Sequence, residues 1–316
     1  MKRRTFLRTS ALLVLALVVI ALASVWEPDR SVESLTAKWA PPPSRFIALD
    51  GMQVHLRDEG PRDDPAPILL LHGTSASLHT WDGWVAVLAK DRRVIRVDLP
   101  GFGLTGPDPA DRYDIEAYTR FVVDLMDQLK LGRVVLAGNS LGGHIAWKTA
   151  HDHPERVSQL ILVDAAGYAF EPESIPIGFR LARNPLFAPL LTRILPRSTV
   201  AASLRDVYGD PTRVDDALVD RYFELTLRAG NRRAVGERFK QMKSGEHEGQ
   251  VAEVRQPTLV LWGAKDRLIP VKFGERFARE LPQGRLVVFP GLGHVPHEED
   301  PVATVEAVRA FLGQAR

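Results

Sequence analysis

The chain of 316 residues contains no cysteine. This absence excludes disulfide bonds, thiolate catalysis, attachment of a lipid to a cysteine, and zinc or iron–sulfur sites with thiolate ligands. A surplus of charge is also absent, because the formal net charge is only +2. The chain thus lacks the strongly basic character of nucleic-acid-binding proteins, and we expect no nucleic-acid partner. Internal repeats are absent as well, which leaves an ordinary globular chain.

The first 26 residues differ in composition from everything that follows. "MKRRTFLRTS" carries four cations, and the next stretch, "ALLVLALVVIALASVW", is almost wholly apolar. We interpret residues 1–26 as a signal peptide or membrane anchor, with its basic end in the cytoplasm and the rest of the chain outside it. The pair Arg3-Arg4 also resembles a twin-arginine export signal. Retention as one membrane helix and release after cleavage near Ala23 both stay open.

The remaining chain alternates between short apolar runs and helix-like segments. Three consecutive prolines favour an extended linker over residues 27–45. Runs such as "APILLLHG", "RRVIRVDLPG", "GRVVLAG" and "PTLVLWGAKD" are typical of strands buried on both faces. Their alternation with helices predicts an α/β fold, a mostly parallel central sheet with helices on both faces. The first two strand-like runs, "RFIALDG" and "MQVHLRDEG", lie close together and predict an antiparallel hairpin.

Strand-like runs stop after Ala165 and resume only near Pro257. We therefore divide the body into the first part of a core (46–164), a helical cap (165–250) and the second part of the core (251–316). A cap inserted between two strands lies most simply over the carboxyl edge of the sheet, where open α/β sheets bind ligands.

The stretch "VVLAGNSLGGHIAW" places one serine among glycines where a strand-like run ends. A dinucleotide site needs G-x-G-x-x-G, and a phosphate loop needs a lysine after its last glycine, so both interpretations fail. The spacing G-x-S-x-G between a strand and a helix is typical of a nucleophile elbow. We therefore predict that Ser140 is a nucleophile, flanked by Gly138 and Gly142.

A serine nucleophile needs a base, and the base needs an acid to orient it. In this architecture the acid and then the base follow the nucleophile along the chain. "TLVLWGAKD" ends at Asp266 and "RLVVFPGLGH" ends at His294, and both lie just beyond predicted strands. We predict that these two residues complete a triad with Ser140. Asp164 is the rival acid and His297 the rival base.

The developing negative charge on a substrate carbonyl needs backbone donors near the serine. Thr74 follows the strand-like run "LLLHG", and Leu141 opens the helix after the serine, so we predict that their amides form an oxyanion hole. His144 is predicted to lie on a helix surface and His72 to be structural. The histidines show no metal-ligand spacing, and the chemistry requires no metal and no organic cofactor.

At this point the chain resembles the α/β-hydrolase fold family. The resemblance rests on "LLLHG", "RVDLPGFG", "GNSLGG", "LWGAKD" and "GLGHVPHEEDP", and it runs from about Phe46 to the C-terminus. It implies the triad Ser140, Asp266 and His294, with Thr74 and Leu141 as oxyanion donors. "GNS" is also similar to carbon–carbon hydrolases of ring-fission dienoates, although this chain has "HGTSAS" in place of their "HGxGPG", and Val295 where a tryptophan usually follows the histidine. A serine nucleophile separates the chain from members with an aspartate nucleophile, which open epoxides or cleave carbon–halogen bonds.

These features predict a serine hydrolase that cleaves an ester or related acyl bond of a small to medium apolar substrate. Apolar cap residues, among them Phe179, Leu186, Phe187, Phe223 and Leu227, are expected to pack the cap and in part to line the pocket. Carbon–carbon hydrolysis of a dienoate is the alternative within enzymes. A non-catalytic binding protein with the same fold is the alternative outside them. The sequence leaves the oligomeric state open.

Overall fold

The computed structural model describes residues 25–169, 172–184 and 192–313. Its centre is an eight-stranded sheet in the order β1-β2-β4-β3-β5-β6-β7-β8. β1 pairs antiparallel with β2, and β2 antiparallel with β4, whereas all other pairs are parallel. The predicted α/β class and the entering hairpin are thus confirmed. The strands are β1 (Arg45–Leu49), β2 (Met52–Glu59), β3 (Ile68–Leu71), β4 (Val94–Val97), β5 (Val134–Asn139), β6 (Val157–Val163), β7 (Thr258–Gly263) and β8 (Gly284–Phe289).

Helices cover both faces of the sheet. The α-helices are α1 (Val32–Trp39), α2 (Asp82–Leu88), α3 (Ile115–Gln128), α4 (Leu141–Asp152), α5 (Ile177–Ala182), α6 (Arg197–Val207), α7 (Asp216–Thr226), α8 (Asn231–Gln241), α9 (Lys272–Glu280), α10 (Pro296–Glu299) and α11 (Pro301–Gly313). Short 3₁₀ helices span Leu78–Trp81, Pro211–Arg213 and Glu248–Glu253.

Strand β3 shows why the central runs are apolar throughout. Successive side chains of a strand point to opposite faces of the sheet. Leu69 and Leu71 pack with α3 and α4 on one face, whereas Ile68 and Leu70 pack with α2 and α11 on the other. All four side chains are fully buried. Because the strand is covered on both sides, none of its positions suits a polar side chain, and the run "ILLL" is therefore apolar throughout.

The cap comprises α5 to α8, which lie between β6 and β7. The described residues of this insert contribute no strand to the sheet. α6 and α7 pack through an apolar cluster of their own that includes Leu204, Tyr208 and Val219 and reaches Val295 of the core. Phe223 and Leu227 pack against Leu195 inside the cap. Leu186 and Phe187, two of the apolar residues expected to line the pocket, lie outside the described residues.

The segment 27–45 differs from the extended linker that its prolines predicted. Ser31 caps helix α1, and Leu35 of this helix is buried against Leu104 and Leu225. The Trp39 indole donates to the Glu224 carboxylate of the cap at 2.7 Å. Burial of one leucine side chain alone contributes about 2 kcal/mol. The prolines therefore end the helix rather than extend the chain, and the segment packs on the body.

The predicted N-terminal membrane segment, residues 1–26, lies almost entirely outside the described part of the chain. Residues 1–24 lie outside the described residues. In the part of the chain that the structure describes, no helix has the length and apolar character that a membrane span requires.

Candidate active site

Ser140 occupies a sharp turn between β5 and α4. The strand ends at Asn139 and the helix begins at Leu141, so Ser140 alone joins them, with φ of 52° and ψ of −114°. Few residues other than glycine adopt a positive φ, and such strain is concentrated at functional positions. The neighbouring glycines make room for it. A Cβ atom at Gly138 would lie 2.0 Å from the carbonyl oxygen of Gly142, so the turn excludes any side chain there.

The parallel strands bring the predicted residues to one edge of the sheet. Asn139 at the end of β5 pairs with Val163 at the end of β6, which places Ser140 and Asp164 side by side. β6 pairs with β7, and β7 with β8, so the loops that carry Asp266 and His294 leave from the same edge.

Asp266 and His294 form a hydrogen-bonded pair. The imidazole Nδ1 donates to Asp266 Oδ2 at 2.6 Å, and both side chains are buried. The other carboxylate oxygen, Oδ1, accepts from the amides of Leu268 and Ile269 at 2.8 and 2.9 Å. Because these amides hold the carboxylate in place, Nδ1 carries the proton, and Nε2 is left as the basic nitrogen.

The backbone of His294 is held from two sides. Its amide donates to the carbonyl of Val207 in the cap at 2.8 Å, and its carbonyl accepts from the Asn139 side chain at 3.0 Å. His294 and Ser140 line the same cavity. Within the described ranges, the serine hydroxyl makes no hydrogen bond of 3.5 Å or less. Bonds of this kind often tighten only when substrate is bound.

Asp164 lies beside the pair but does not hold the histidine. Its Oδ1 accepts from the amide of Gly263 at 3.0 Å, and its backbone has a φ of 43°. Ligand atoms of Asp164, Asp266 and His294 lie within 4.8 Å of one another. Burial and the adjacent negative charge of Asp266 raise the pKa of Asp164 well above its usual value. The neutral form of Asp164 is therefore favoured more than in a free aspartate, and the geometry favours Asp266 as the partner of the histidine.

The same three residues are the one group in the described chain whose ligand atoms cluster closely enough for a metal ion. The Asp266 oxygens already accept three N–H donors, and the raised pKa of Asp164 disfavours the carboxylate that a cation would bind. This donor set fits a hydrogen-bonded triad better than a cation site.

His297 lies in the short helix α10, which precedes the final helix α11. Its Nε2 is 3.0 Å from the hydroxyl of Thr80, and its ring lies 4.1 Å from that of Trp81. Burial, followed by the positive charges of His294 and Arg221, holds the pKa of His297 well below its usual value. The hydrogen bond to Asp266 is made by His294 and not by His297, so His294 is the better candidate for the base.

Thr74 and Leu141 both lie next to Ser140. Leu141 is the first residue of α4, so its amide has no acceptor within the helix. In the described chain, neither its amide nor that of Thr74 donates a hydrogen bond to the protein. His72 shapes the loop before Thr74, since its Nδ1 donates to the Gly73 carbonyl at 2.7 Å and its Nε2 accepts from the Leu99 amide at 3.0 Å. Oxyanion binding by the two amides stays a prediction.

Two cavities meet at Ser140. The first has a volume of about 150 Å³ and is mainly apolar, with Phe179, Leu204 and Val295 in its wall. The second has a volume of about 360 Å³ and is more polar, with His144 and Arg238 in its wall. Ser140, Thr74, Phe179 and Leu268 line both cavities.

Two residues in the wall of the second cavity are more buried than the sequence indicates. His144 was predicted on a helix surface, but only 6% of it is exposed. Every residue of α4 from Leu141 to Ala150 is buried, because the helix lies between the sheet, α3 and the segment around Glu248–Glu253. Arg238 belongs to "NRRAVGERFK", a run so polar that it resembles a solvated helix, yet Arg238 is only 5% exposed.

Comparison with known proteins agrees with the fold. The chain matches the alpha/beta hydrolase fold family over residues 66–301. An uncharacterised protein of Mycobacterium tuberculosis is 32% identical over 289 residues, which cover 86% of this chain and 82% of the relative. The 2-hydroxymuconate semialdehyde hydrolase of Pseudomonas sp. CF600 is 29% identical, covering 87% and 96%. The crystal structure of a membrane phospholipase A superposes with a TM-score of 0.73 at 26% identity and covers 99% of each chain.

Proposed function

We propose that this protein, which belongs to the α/β-hydrolase fold family, hydrolyses carboxylic esters of apolar acyl groups with Ser140 as nucleophile. The observation that carries the proposal is the first cavity, in which Ser140 and His294 lie within a mainly apolar wall. Such a cavity takes up an acyl chain by excluding water from apolar surface.

In the proposed reaction, His294 Nε2 removes the proton of the Ser140 hydroxyl while the Oγ attacks the ester carbonyl carbon. The amides of Thr74 and Leu141 stabilise the oxyanion. His294 then gives the proton to the leaving alcohol, and the acyl group remains on Ser140. A water molecule, deprotonated by His294, attacks this acyl-enzyme and releases the carboxylic acid. Asp266 holds the imidazole and stabilises its positive charge in both halves of the reaction.

Lipid esters are the substrate class that we favour. The chain resembles a membrane phospholipase A over 99% of both chains, whereas its match to the 2-hydroxymuconate semialdehyde hydrolase covers 87% of this chain. A mainly apolar wall around the nucleophile suits an acyl chain. Residues 1–26, which the sequence predicts as an anchor, would keep the enzyme near such substrates.

The proposed location follows from that segment. We expect one N-terminal helix to anchor the protein, with the catalytic domain outside the cytoplasm. Cleavage near Ala23 and release is the alternative. Fractionation of a full-length chain with a C-terminal tag distinguishes them, because release shortens the tagged band and moves it to the soluble fraction. A tag protected from external protease in spheroplasts would refute export altogether.

Carbon–carbon hydrolysis of a dienoate is the second candidate. It is favoured by the 29% identity to 2-hydroxymuconate semialdehyde hydrolase, which covers 96% of that relative. Asn139, immediately before the serine, agrees with it. Its side chain donates to the carbonyls of Val163 and His294, however, so its role in this structure is to tie the site together. A non-catalytic binding protein would not need the hydrogen-bonded Asp266–His294 pair.

The test uses p-nitrophenyl esters of graded chain length, a diacyl phospholipid and a ring-fission dienoate, with a fluorophosphonate probe to titrate Ser140. We expect ester turnover that ceases in Ser140→Ala. Turnover of the dienoate without ester turnover would establish the second candidate. Absence of labelling at Ser140 together with absence of turnover would refute the hydrolase mechanism.

A further inference from the structure

The wall of the second cavity contains a cation that has no partner among the described residues. Arg238 is 5% exposed, and no described residue forms an ion pair or a hydrogen bond of 3.5 Å or less with its guanidinium group. Its Nε is sealed from solvent and unpaired. Burial lowers the pKa of Arg238, and Tyr118 and Asp114 oppose that shift in part. A buried charge without a partner is costly, so its retention in a cavity wall calls for an explanation.

The groups around Arg238 do not neutralise it. The Asp114 carboxylate accepts from the amide of Ala117 as the cap of α3, and the Tyr118 hydroxyl donates to the Pro100 carbonyl. On the other elements packed around the cavity, three basic groups each have a carboxylate beside them, whereas Arg183 of the same wall is exposed to solvent. These pairs are Lys148 with Asp152, His247 with Glu116, and Lys243 with Glu246.

A second unpaired nitrogen lines the same wall. His144 Nε2 is buried and has no partner among the described residues, and the ring stacks on Trp147 with centroids 5.0 Å apart. Burial, followed by the positive charge of Arg238, lowers the pKa of His144 to about 3. The imidazole is therefore neutral at pH 7 and can donate one hydrogen bond without adding charge.

The first cavity offers no equivalent cation. Arg232 is buried there too, but it pairs with Asp29 and donates to the Glu27 carbonyl. The two cavities thus differ on either side of Ser140, because the first is mainly apolar and the second contains a guanidinium group that no described residue pairs with.

We propose that Arg238, assisted by His144, binds an anionic group of the substrate in the second cavity while the apolar acyl chain occupies the first. The inference rests on the proposed ester hydrolysis and specifies its substrate as an ester with a phosphate diester or a carboxylate on the alcohol side. Guanidinium groups bind both anions through paired N–H donors. The reacting carbonyl then lies at the junction of the two cavities, beside Ser140.

The first test measures binding rather than turnover. Calorimetric titration of the Ser140→Ala protein uses three hexanoyl esters, whose alcohol parts carry a phosphate diester, a carboxylate or a neutral hydroxyl. We expect Arg238→Met in this background to reduce the preference for the anionic esters over the neutral one roughly 10- to 100-fold, the range for hydrogen bonds to a charged group. Arg238→Lys should retain part of that preference. A larger effect on the phosphate diester than on the carboxylate identifies the phosphate as the ligand, and the reverse identifies the carboxylate.

The matched control is Arg233→Met, which removes an exposed arginine of the same helix that is bonded to Asp111 instead. It should leave the preference unchanged. An equal loss of affinity for charged and neutral esters in Arg238→Met would overturn the proposal. If that variant fails to fold, the replacement test measures fluorophosphonate labelling of Ser140 in the presence of inorganic phosphate. We expect phosphate to slow the labelling of the wild type and to slow that of Arg238→Lys less. Absence of that slowing would likewise overturn the proposal.

The two proposals fail in different ways. Arg238-dependent anion binding in a protein that cleaves no ester would support the subsite and refute ester hydrolysis. Ester hydrolysis with no preference for a charged alcohol part would refute the subsite alone.

Discussion

Replacement of Asp266 by asparagine tests the geometry of the triad directly. In the structure, Oδ1 accepts from the amides of Leu268 and Ile269, while Oδ2 accepts from His294 Nδ1. An asparagine must turn its only oxygen toward the two amides, because its NH₂ group cannot accept from them. The NH₂ group then faces Nδ1 and donates to it, so the ring proton moves to Nε2. A protonated Nε2 cannot accept the proton of Ser140.

The expected loss follows from that wrong tautomer. We expect Asp266→Asn to lower kcat about 10⁴-fold, which corresponds to about 5.4 kcal/mol of transition-state stabilisation. The assay is steady-state hydrolysis of a p-nitrophenyl ester, with active sites titrated by a fluorophosphonate so that inactive protein is not counted.

Asp164→Asn is the matched control for this change. The raised pKa of Asp164 favours its neutral form, and an asparagine keeps the carbonyl acceptor for the Gly263 amide while its NH₂ group takes the place of the hydroxyl of that form. We expect kcat within about threefold of the wild type, since no proton is moved through this residue. A greater loss in Asp164→Asn than in Asp266→Asn would refute the assignment of the acid.

The remaining predictions concern the nucleophile, the turn and pH. Ser140→Ala and His294→Ala should each lower kcat about 10⁴-fold or more, because triad members act as a unit; folding is checked by circular dichroism. Gly142→Ala should unfold the protein at ordinary temperature in a thermal melt, because its Cβ would lie 2.2 Å from the Leu71 carbonyl oxygen. The raised pKa of Asp164 means that its contribution to stability is complete below about pH 4 and is lost as pH rises through its folded pKa. Urea unfolding at a series of pH values should therefore show wild-type stability falling relative to Asp164→Asn as pH rises.

Much of the fold could be predicted because strands that are buried on both faces have continuous apolar sequences. β3, β5 and β7 are continuous apolar runs, and each ends at the edge where the site lies. The G-x-S-x-G spacing indicated Ser140 because no side chain fits at Gly138. The local sequence pattern was sufficient for features that depend on a single turn or a single strand.

Prediction failed where distant segments determine burial. His144 lies on a helix that is covered by α3 and by the distant segment Glu248–Glu253, so its position on a helix alone predicted the wrong exposure. The linker prediction missed α1 because its stability depends on contacts such as Trp39 with Glu224, 185 residues apart. The burial of Arg238 also depends on tertiary contacts, because the sequence of a polar helix does not indicate which of its cations is buried.

The central claim is that Ser140 cleaves an ester by way of an acyl-enzyme. The most direct test is to mix the full-length protein with a diacyl phospholipid in mixed micelles, quench in acid after milliseconds, and measure the mass of the peptide that contains Ser140. We predict a mass increase equal to one fatty acid minus water, which is absent in Ser140→Ala and decays as free fatty acid appears. Fatty acid release in Ser140→Ala at the wild-type rate, or turnover of a dienoate with no ester cleavage, would contradict it.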